Sequence, residues 1–247
     1  MNYKTSQEIK TLAEGGAILA RILTRLIEAA KPGITTRSLD TLARELISDA
    51  DVKSAFLGYR GYPAALCTSI NEEVVHGVPS DRKLKDGDVL KLDLGIIYKK
   101  LYTDHARTII VGKATSVKNK KLIATADEAL AIGIQVAQAG NTTGDIGHAI
   151  HQYVKSNGFD VVRELVGHGV GHGVHEAPEV PNYGKPGEGD VLKPGMVIAI
   201  EPMVVAGNWK IANSHDGFAF ITKDGKIATH AEHTVAITKS GPIILTK

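Results

Sequence analysis

Residues 85–112 read KDGDVLKLDLGIIYKKLYTDHARTIIVG, the pattern of two strands around a short turn. We expect the turn to be centred near Tyr98 and Lys99. In that register Asp93 lies directly opposite Asp104 in an antiparallel hairpin. Two opposed carboxylates repel each other and destabilise the pair. The pattern therefore favours a divalent cation between them, with two unrelated acids on a solvated face as the alternative.

The composition limits the class of protein. The 247 residues, 43% of them hydrophobic, are enough for one sizeable core, so we expect one domain over residues 1–247. The net charge of +2 is too small to favour nucleic acid or an anionic membrane as a partner. Cys67 is the single cysteine, which excludes an internal disulfide framework. A polar N-terminus and the lack of a run of about eighteen apolar residues predict a cytoplasmic protein without a membrane span.

Two parts of the sequence recur at an offset of 107 or 108 residues. The recurring pairs are Gly33–Leu39 with Gly140–Ile146, and Leu84–Asp93 with Leu192–Glu201. Each half reads helix, helix, strand hairpin, with halves of about 1–112 and 113–247. The pattern predicts an α/β (α+β) fold whose related halves pack around a shared site. Asp93 and Glu201 are then counterparts, each an acid at the end of an apolar strand.

The densest group of histidines lies in GHGVGHGVHE, residues 167–176. Glycines remove side-chain bulk, so imidazoles can crowd into a small volume and act as metal ligands or proton shuttles. If this segment were a regular strand, His168 and His172 would point to one face and His175 to the other. Glycines can break this alternation, so it does not decide which histidines reach a site. A flexible glycine loop is the alternative, and the spacing does not match a phosphate-binding loop. His172 has no further support, and we expect it to be a neighbour of the site.

Two further residues are weak signals when each is taken alone. Glu232 begins a strand pattern, where a capping acid is the alternative, and His76 is a lone loop histidine of a kind that is more often structural. Combined with one or more histidines, the acids form an oxygen-rich set: Asp93, Asp104, Glu201 and Glu232. Four carboxylates suit two divalent metal ions about 3.5–4 Å apart. Without a thiolate in the set, manganese, iron, cobalt and zinc all fit.

Five motifs together resemble those of type I methionine aminopeptidases. They are LGYRGYPAALCTSINEEVVHGVP (57–79), KLDLG (91–95), GHGVGHGVHE (167–176), IEPM (200–203) and AEHT (231–234). The resemblance spans nearly the whole chain and is to the compact bacterial type. It implies the pita-bread (creatinase/aminopeptidase) fold, in which two pseudo-symmetric helix-helix-hairpin halves surround a central curved antiparallel sheet.

The resemblance also implies the role of each site residue. The five expected metal ligands are all present: Asp93, Asp104, His168, Glu201 and Glu232. Asp93 would chelate one ion, Asp104 and Glu232 would bridge both, and His168 and Glu201 would hold the other. A metal-bridging hydroxide would attack the first peptide bond, with Glu201 as the proton shuttle. His175 would hydrogen-bond the substrate carbonyl, and His76 would contact the backbone beyond the scissile bond.

A pocket for the methionine side chain is implied in the same way. Its expected residues are Phe56, Tyr59, Tyr62, Cys67, Val174 and Phe218. The family more often has a cysteine at position 56, an aromatic residue at 174 and a tryptophan at 218. We expect the bulkier wall at Phe56 and the smaller one at Val174 to conserve the volume of the pocket.

The implied activity is that of a metalloaminopeptidase that removes the initiator methionine when the second residue is small. Its partners would be N-terminal methionyl peptides and nascent chains, with a monomer as the family default and a transient ribosome contact left open. Two alternatives stand beside it. A catalytically inactive pita-bread binding protein should lack ligands, and a proline-specific aminopeptidase of the same fold usually carries an additional N-terminal domain.

Overall fold

The computed structural model describes residues 2–113 and 116–247 of the chain. Within these residues the helices lie in two pairs: α1 Ser6–Ala29, α2 Thr36–Asp49, α3 Val117–Val136 and α4 Thr143–Ser156. Capping boxes close the first turns of α1 and α4, formed by Thr5 with Glu8 and by Thr142 with Asp145. None of the helices described is both long and apolar enough to cross a membrane.

The strands of the described residues form antiparallel sheets. Their bounds are β1 Lys53–Ser54, β2 Cys67–Ile70, β3 Glu73–Val75, β4 Val89–Tyr98, β5 Leu101–Ile110, β6 Asp160–Val161, β7 Gly167–Gly169, β8 Glu176–Val180, β9 Val197–Ile200, β10 Met203–Val205, β11 Ile211–Asn213, β12 Phe220–Thr222, β13 Ala228–His230, β14 His233–Thr238 and β15 Gly241–Ile244. In the first half β4 pairs with β1, β2 and β5, and in the second the order is β15-β14-β9-β7-β8. Two three-stranded sheets, β13-β10-β6 and β11-β12-β3, complete the strand layer.

The sequence repeat is also a structural repeat. The Gly33 amide donates to the Leu84 carbonyl at 2.8 Å, and the Gly140 amide donates to the Leu192 carbonyl at 2.9 Å. These contacts tie the loop before the second helix of each half to the loop before its main strand. The same bond at the same place in both halves confirms the predicted pseudo-symmetric arrangement.

Alternation along the main strands separates the core from the site. In β4 the leucines Leu90, Leu92 and Leu94 are buried against α1 and α2. The intervening Asp93 therefore points to the opposite face of the sheet. In β9, Ile198 and Ile200 are buried against α3 and α4. Glu201 follows directly, so the acid of the second half also lies on the face away from the helices.

The hairpin register differs from the prediction. Its turn is Lys99–Lys100, both with positive φ (48° and 69°), one residue later than expected. Asp93 consequently pairs with Ala106, and Asp104 pairs with Gly95, so the prediction of directly opposed aspartates was wrong. A register shift of two leaves every side chain on its own face. The two carboxylates are diagonal neighbours on one face of the sheet.

Strands β5 and β14 join the halves at a seam. The amide of Asp104 donates to Thr234 Oγ1 at 2.9 Å, and this hydroxyl donates to the carbonyl of Asp104 at 2.8 Å. The amide of Glu232 donates to the carbonyl of Ala106 at 3.0 Å. The seam therefore brings Asp104 of the first half beside Glu232 of the second.

Candidate metal centre

A tight cluster of ligand atoms lies at the seam. Asp104, His168 and Glu232 each contribute one ligand atom, and these atoms all lie within 4.8 Å of one another. Glu201 Oε1 is 3.5 Å from His168 Nε2. Asp93 lies on the same face, and its buried Oδ1 has no hydrogen-bond partner among the described residues. All five predicted ligands therefore come together.

The surroundings of these acids disfavour their charged forms. Burial, followed by repulsion from Asp104 and Glu201, raises the pKa of Asp93 well above its usual value. Burial and the charge of Glu201 raise the pKa of Asp104 to about 7. Burial also raises the pKa of Glu201 to about 7, although His168 opposes this. The pKa of Glu232 is raised by burial and then by Asp104. Four buried carboxyl groups cannot all ionise together without a cation.

The donor set fits a divalent metal ion. It combines carboxylate oxygens and an imidazole nitrogen, which are the ligands of borderline metals such as zinc and manganese. A metal ion would give the orphaned Asp93 Oδ1 a partner and would neutralise the excess negative charge. The residues present could therefore hold a divalent metal ion.

Neighbouring groups orient the ligands. His168 Nδ1 lies 2.9 Å from the carbonyl of Gly169, which leaves Nε2 facing Glu201. Asn182 Nδ2 donates to the carbonyl of Glu201 at 2.9 Å. The amide of His105 donates to the Asp104 carboxylate at 3.0 Å. These bonds fix the imidazole of His168, the backbone of Glu201 and the carboxylate of Asp104.

The cluster opens into a cavity of about 800 Å³, within the usual range for a small-ligand site. Twelve of the predicted site residues line it: Phe56, Tyr59, Tyr62, Cys67, His76, Asp93, Asp104, His168, His175, Glu201, Phe218 and Glu232. Val174 does not line the cavity. It packs behind the wall in an apolar cluster with Phe56, Tyr62 and Cys67.

One wall of the cavity is apolar and partly aromatic. Phe218 meets the Tyr62 ring edge-on at 5.5 Å between centroids. The hydroxyl of Tyr62 donates to the carbonyl of Gly77 at 2.9 Å, which turns the polar end of this side chain away from the cavity. The Phe56 ring lies over Gly95, where a Cβ atom would be 2.7 Å from Phe56 Cε1. The absence of a side chain at Gly95 thus leaves space for the Phe56 ring.

Two further histidines, His76 and His175, line the cavity. His175 Nδ1 is 2.9 Å from the hydroxyl of Tyr59, and its ring centroid is 4.3 Å from that of His168. Burial lowers the pKa of His175 to about 3 and that of His76 to about 4. Both imidazoles are therefore neutral near pH 7 and can donate one hydrogen bond each.

Sequence reasoning missed His230, which is fully buried beside the cluster. Its Nε2 lies 3.3 Å from Glu201 Oε2. Neither ring nitrogen has a well-oriented hydrogen-bond partner in the described part of the chain. His172, by contrast, points away from the cavity and pairs with Glu8 at 2.7 Å, as expected for a neighbour.

Known proteins place the chain in a family. The model of metallopeptidase family M24 matches residues 10–239, almost the whole chain. The chain belongs to metallopeptidase family M24. Among the relatives of this M24 metallopeptidase, the methionine aminopeptidase of Clostridium perfringens is 46% identical over 243 residues, covering 98% of this chain and 97% of that protein.

Solved structures agree with the M24 assignment. The methionine aminopeptidase of Thermotoga maritima has a TM-score of 0.97 and 44% identity, covering 100% of this chain and 99% of that one. The prolidase of Pyrococcus horikoshii has a TM-score of 0.78 and 26% identity, covering 99% of this chain but 63% of the prolidase. These likenesses confirm the predicted pita-bread fold. They also place this M24 chain nearer in length and sequence to the methionine-specific proteins.

Proposed function

We propose that this M24 metallopeptidase removes the N-terminal methionine from peptides and nascent proteins whose second residue is small. The observation that carries the proposal is the junction of an oxygen-rich metal cluster with an apolar, partly aromatic cavity. Such a cavity suits the long, flexible thioether of methionine. The high identity to methionine aminopeptidases over the full chain supports the same substrate class.

The metal centre is proposed to hold two divalent ions, with manganese, iron, cobalt or zinc as candidates. The residues that would hold them are Asp93, Asp104, His168, Glu201 and Glu232. When bound, such ions polarise a carbonyl and lower the pKa of water, which is the chemistry that peptide hydrolysis needs.

His175 is proposed to hold the carbonyl oxygen of the first peptide bond. The Tyr59 hydroxyl lies 2.9 Å from Nδ1, and donation from this hydroxyl would place the imidazole proton on Nε2. That N–H can then donate to the substrate carbonyl and, more strongly, to the negative charge that develops on it. Tyr59 therefore sets both the orientation and the tautomer of His175.

Glu201 and His76 are proposed to complete the catalytic set. Glu201 lies between His168 and His230 and would move a proton from the attacking water to the leaving amine. His76 follows β3 and lines the cavity, where its ring meets that of Phe220 at 5.8 Å between centroids. From there it would contact the substrate backbone beyond the scissile bond.

The methionine side chain is proposed to enter the apolar wall. The wall residues are Phe56, Tyr59, Tyr62, Cys67 and Phe218, with Val174 packed behind them. Phe56 and the smaller Val174 belong to the same apolar cluster, and their conservation of the pocket volume is part of the proposal. A substrate with a branched or charged N-terminal residue would fit this apolar pocket less well.

The setting of the activity is also a proposal. We infer one catalytic domain over residues 1–247, with halves of about 1–112 and 113–247 that each contribute ligands. Nascent chains carrying the initiator methionine are cytoplasmic, so the proposed location is the cytoplasm, as a monomer with a transient ribosome contact. Sedimentation of the purified protein, alone and with ribosomes, would test the last two points.

The decisive experiment is hydrolysis of a Met-Ala-Ser peptide by metal-stripped protein. Manganese, iron, cobalt and zinc would be added back in turn, with Glu201→Ala as the inactive control and bound metal counted in both proteins. We expect metal-dependent release of methionine that the variant loses. A folded protein that binds metal but releases no methionine would refute the proposal and favour the binding-protein alternative.

The likeness to a prolidase makes a proline-specific peptidase the second candidate. Parallel assays with Xaa-Pro peptides separate the two. Faster cleavage of Xaa-Pro than of Met-Ala-Ser would favour this candidate.

A further inference from the structure

The segment before the first helix is fastened to the molecule by a buried lysine. Lys4 is 5% exposed, and its ammonium group donates to Glu176 Oε2 at 2.7 Å and to the carbonyl of Asn2 at 3.2 Å. The amide of Lys4 donates to the carbonyl of Gly195 at 2.7 Å. We name residues 2–8 the N-terminal strap. The strap is thus held through both its backbone and its one buried charge.

The partner of Lys4 closes the loop that carries the site histidine. Glu176 directly follows His175, and its second oxygen accepts the amide of Gly173 at 2.6 Å. We name residues 171–176 the histidine loop. The side chain of Lys4 passes directly over Gly171, where a Cβ atom would lie 2.3 Å from Lys4 Cε. Lys4 therefore contacts both ends of the histidine loop.

A second side-chain contact joins the same two segments. Glu8 Oε1 lies 2.7 Å from His172 Nε2, and the other oxygen of Glu8 accepts the amide of Thr5 at 2.8 Å. This pair is partly exposed, with side-chain exposures of 32% and 39%, whereas the Lys4–Glu176 pair is at 1% and 8%. Salt and water weaken exposed pairs far more than buried ones. The Lys4–Glu176 pair is therefore the stronger of the two connections.

Other contacts also hold the histidine loop: the Tyr102 amide donates to the carbonyl of Gly171 at 2.8 Å, and Tyr59 hydrogen-bonds His175, but none of them neutralises the carboxylate of Glu176. The glycines of the loop, Gly171 and Gly173, supply no side chain for packing and leave the backbone many conformations. Its apolar residue Val174 is buried behind the pocket wall, against Phe56, Tyr62 and Cys67. If the loop moved, the wall and His175 would move with it. Removing one partner of a buried ion pair leaves the other charged and unsolvated, so the loop would rearrange.

We propose that Lys4, in the N-terminal segment, is a positioning residue for His175 that acts through Glu176. The inference rests on the proposed role of His175 in holding the substrate carbonyl. An error of about 1 Å in such a group can cost 100-fold in rate. Loss of Lys4 should therefore lower transition-state binding more than it lowers metal affinity, because none of the metal ligands lies on the histidine loop.

The test is a double-mutant cycle on methionine release from Met-Ala-Ser, with metal content and unfolding temperature measured for every variant. Lys4→Met keeps the length of the side chain and removes its charge. We expect kcat/KM to fall about 10- to 100-fold, mostly in kcat, with metal content unchanged. In a His175→Ala background the same change should have less than about a twofold further effect, because its target is already gone. Lys10→Met, at an exposed position on α1, is the matched control and should match wild type.

A purely structural role would give a different pattern. It would lower kcat/KM by the same factor with or without His175, and that additivity would overturn the inference, as would a Lys4→Met enzyme within twofold of wild type. If Lys4→Met does not fold, Lys4→Met with Glu176→Gln leaves no unpaired buried charge and enters the same cycle. If His175→Ala alone has no effect, the proposed role of His175 fails. If His175→Ala is impaired but Lys4→Met is not, only the present inference fails.

Discussion

At the metal centre, a single carboxylate is kept at the expense of stability. Asp93 is buried, lacks a partner for Oδ1 within the described residues, and is repelled by Asp104. Asp93→Asn removes the charge at nearly constant shape. We expect the metal-free variant to be about 1–2 kcal/mol more stable than metal-free wild type, because it no longer has a buried carboxyl group whose ionised form is disfavoured. Urea unfolding in a chelator measures this difference.

Asp93→Asn should also reduce both the metal-dependent activity and the stabilisation that metal binding gives. Groups that merely orient a ligand change affinity or activity about 10- to 100-fold, so loss of a ligand itself should cost more than about 100-fold in methionine release. The rise in unfolding temperature on adding metal should also shrink. Asp49→Asn, at an exposed position, is the control for the chemical change. A metal-free Asp93→Asn protein less stable than wild type would contradict this account.

The raised pKa values of the acids predict a pH dependence of metal binding. In the metal-free chain the pKa of Asp104 rises from 3.8 to about 7 and that of Glu201 from 4.5 to about 7, chiefly through burial. Between about pH 4 and pH 7 the folded state therefore binds more protons than the unfolded state. The stability of the metal-free protein falls as the pH rises through this range, and the loss is complete above about pH 7. Metal needs the ionised forms, so binding at pH 6 should release about one proton or more per chain, and fewer above pH 8. Titration calorimetry in two buffers of different ionisation enthalpy counts these protons, and a heat independent of buffer at pH 6 would refute the prediction.

Some of the candidate site residues could be predicted from the sequence. The acids were predictable because each ends or begins an apolar strand pattern, and the repeat paired Asp93 with Glu201. His230 was not, because its position depends on which strand β13 pairs with, and that pairing is made by distant parts of the chain. His76 gave no local signal either. It reaches the cavity only because the backbone turns there with φ of 61°.

At the scale of one element, β4 shows why a wrong register still placed Asp93 and Asp104 on the same face of the sheet. The predicted turn was one residue early, since Lys99–Lys100 had no glycine or asparagine to mark it. The resulting error of two in the pairing conserved the face of Asp93 and Asp104. The alternation of leucines fixed that face more firmly than the turn fixed the register. The alternation of residues along a strand therefore predicts which side chains share a face more reliably than it predicts the exact pairing of strands.

The same strand limits the pocket through Gly95. A Cβ atom there would lie 2.7 Å from Phe56 Cε1 and 3.0 Å from Ala55 Cβ. Gly95→Ala should push the Phe56 ring into the cavity, so we expect KM for Met-Ala-Ser to rise several-fold with metal content unchanged. Steady-state kinetics on the metal-loaded protein measure this. Gly95→Ala with Phe56→Leu restores space and should recover KM, and failure to recover would show that the glycine acts through the backbone instead.

For the whole molecule, the repeat explains how ligands distant in sequence meet. Each half buries its own helix pair against its own strands, and the acids lie on the opposite face. The sequence indicated the two halves through their offset but not the seam between β5 and β14. The seam depends on hydrogen bonds of Asp104 and Thr234 that no local pattern encodes. Because the proposed metal ligands lie on both sides of that seam, we expect metal binding to tighten the contact between the halves.

Lys91 ties the halves together beneath the site and provides a test of that coupling. It is 1% exposed, and its ammonium group donates to the carbonyls of Asn71 at 2.9 Å, Val89 at 3.2 Å and Ala228 at 3.1 Å. Asn71 and Val89 belong to the first half and Ala228 to the second. Burial lowers the pKa of Lys91 to about 7, so removal of its charge alone is not what destabilises the protein. Lys91→Met keeps the buried stem but leaves three carbonyls without their donor, so we expect the unfolding free energy to fall by about 1–3 kcal/mol. Urea unfolding at pH 7 measures the change, with exposed Lys31→Met as the control. A loss below about 0.5 kcal/mol, the range of surface substitutions, would mean that the halves are held by the seam and the metal alone.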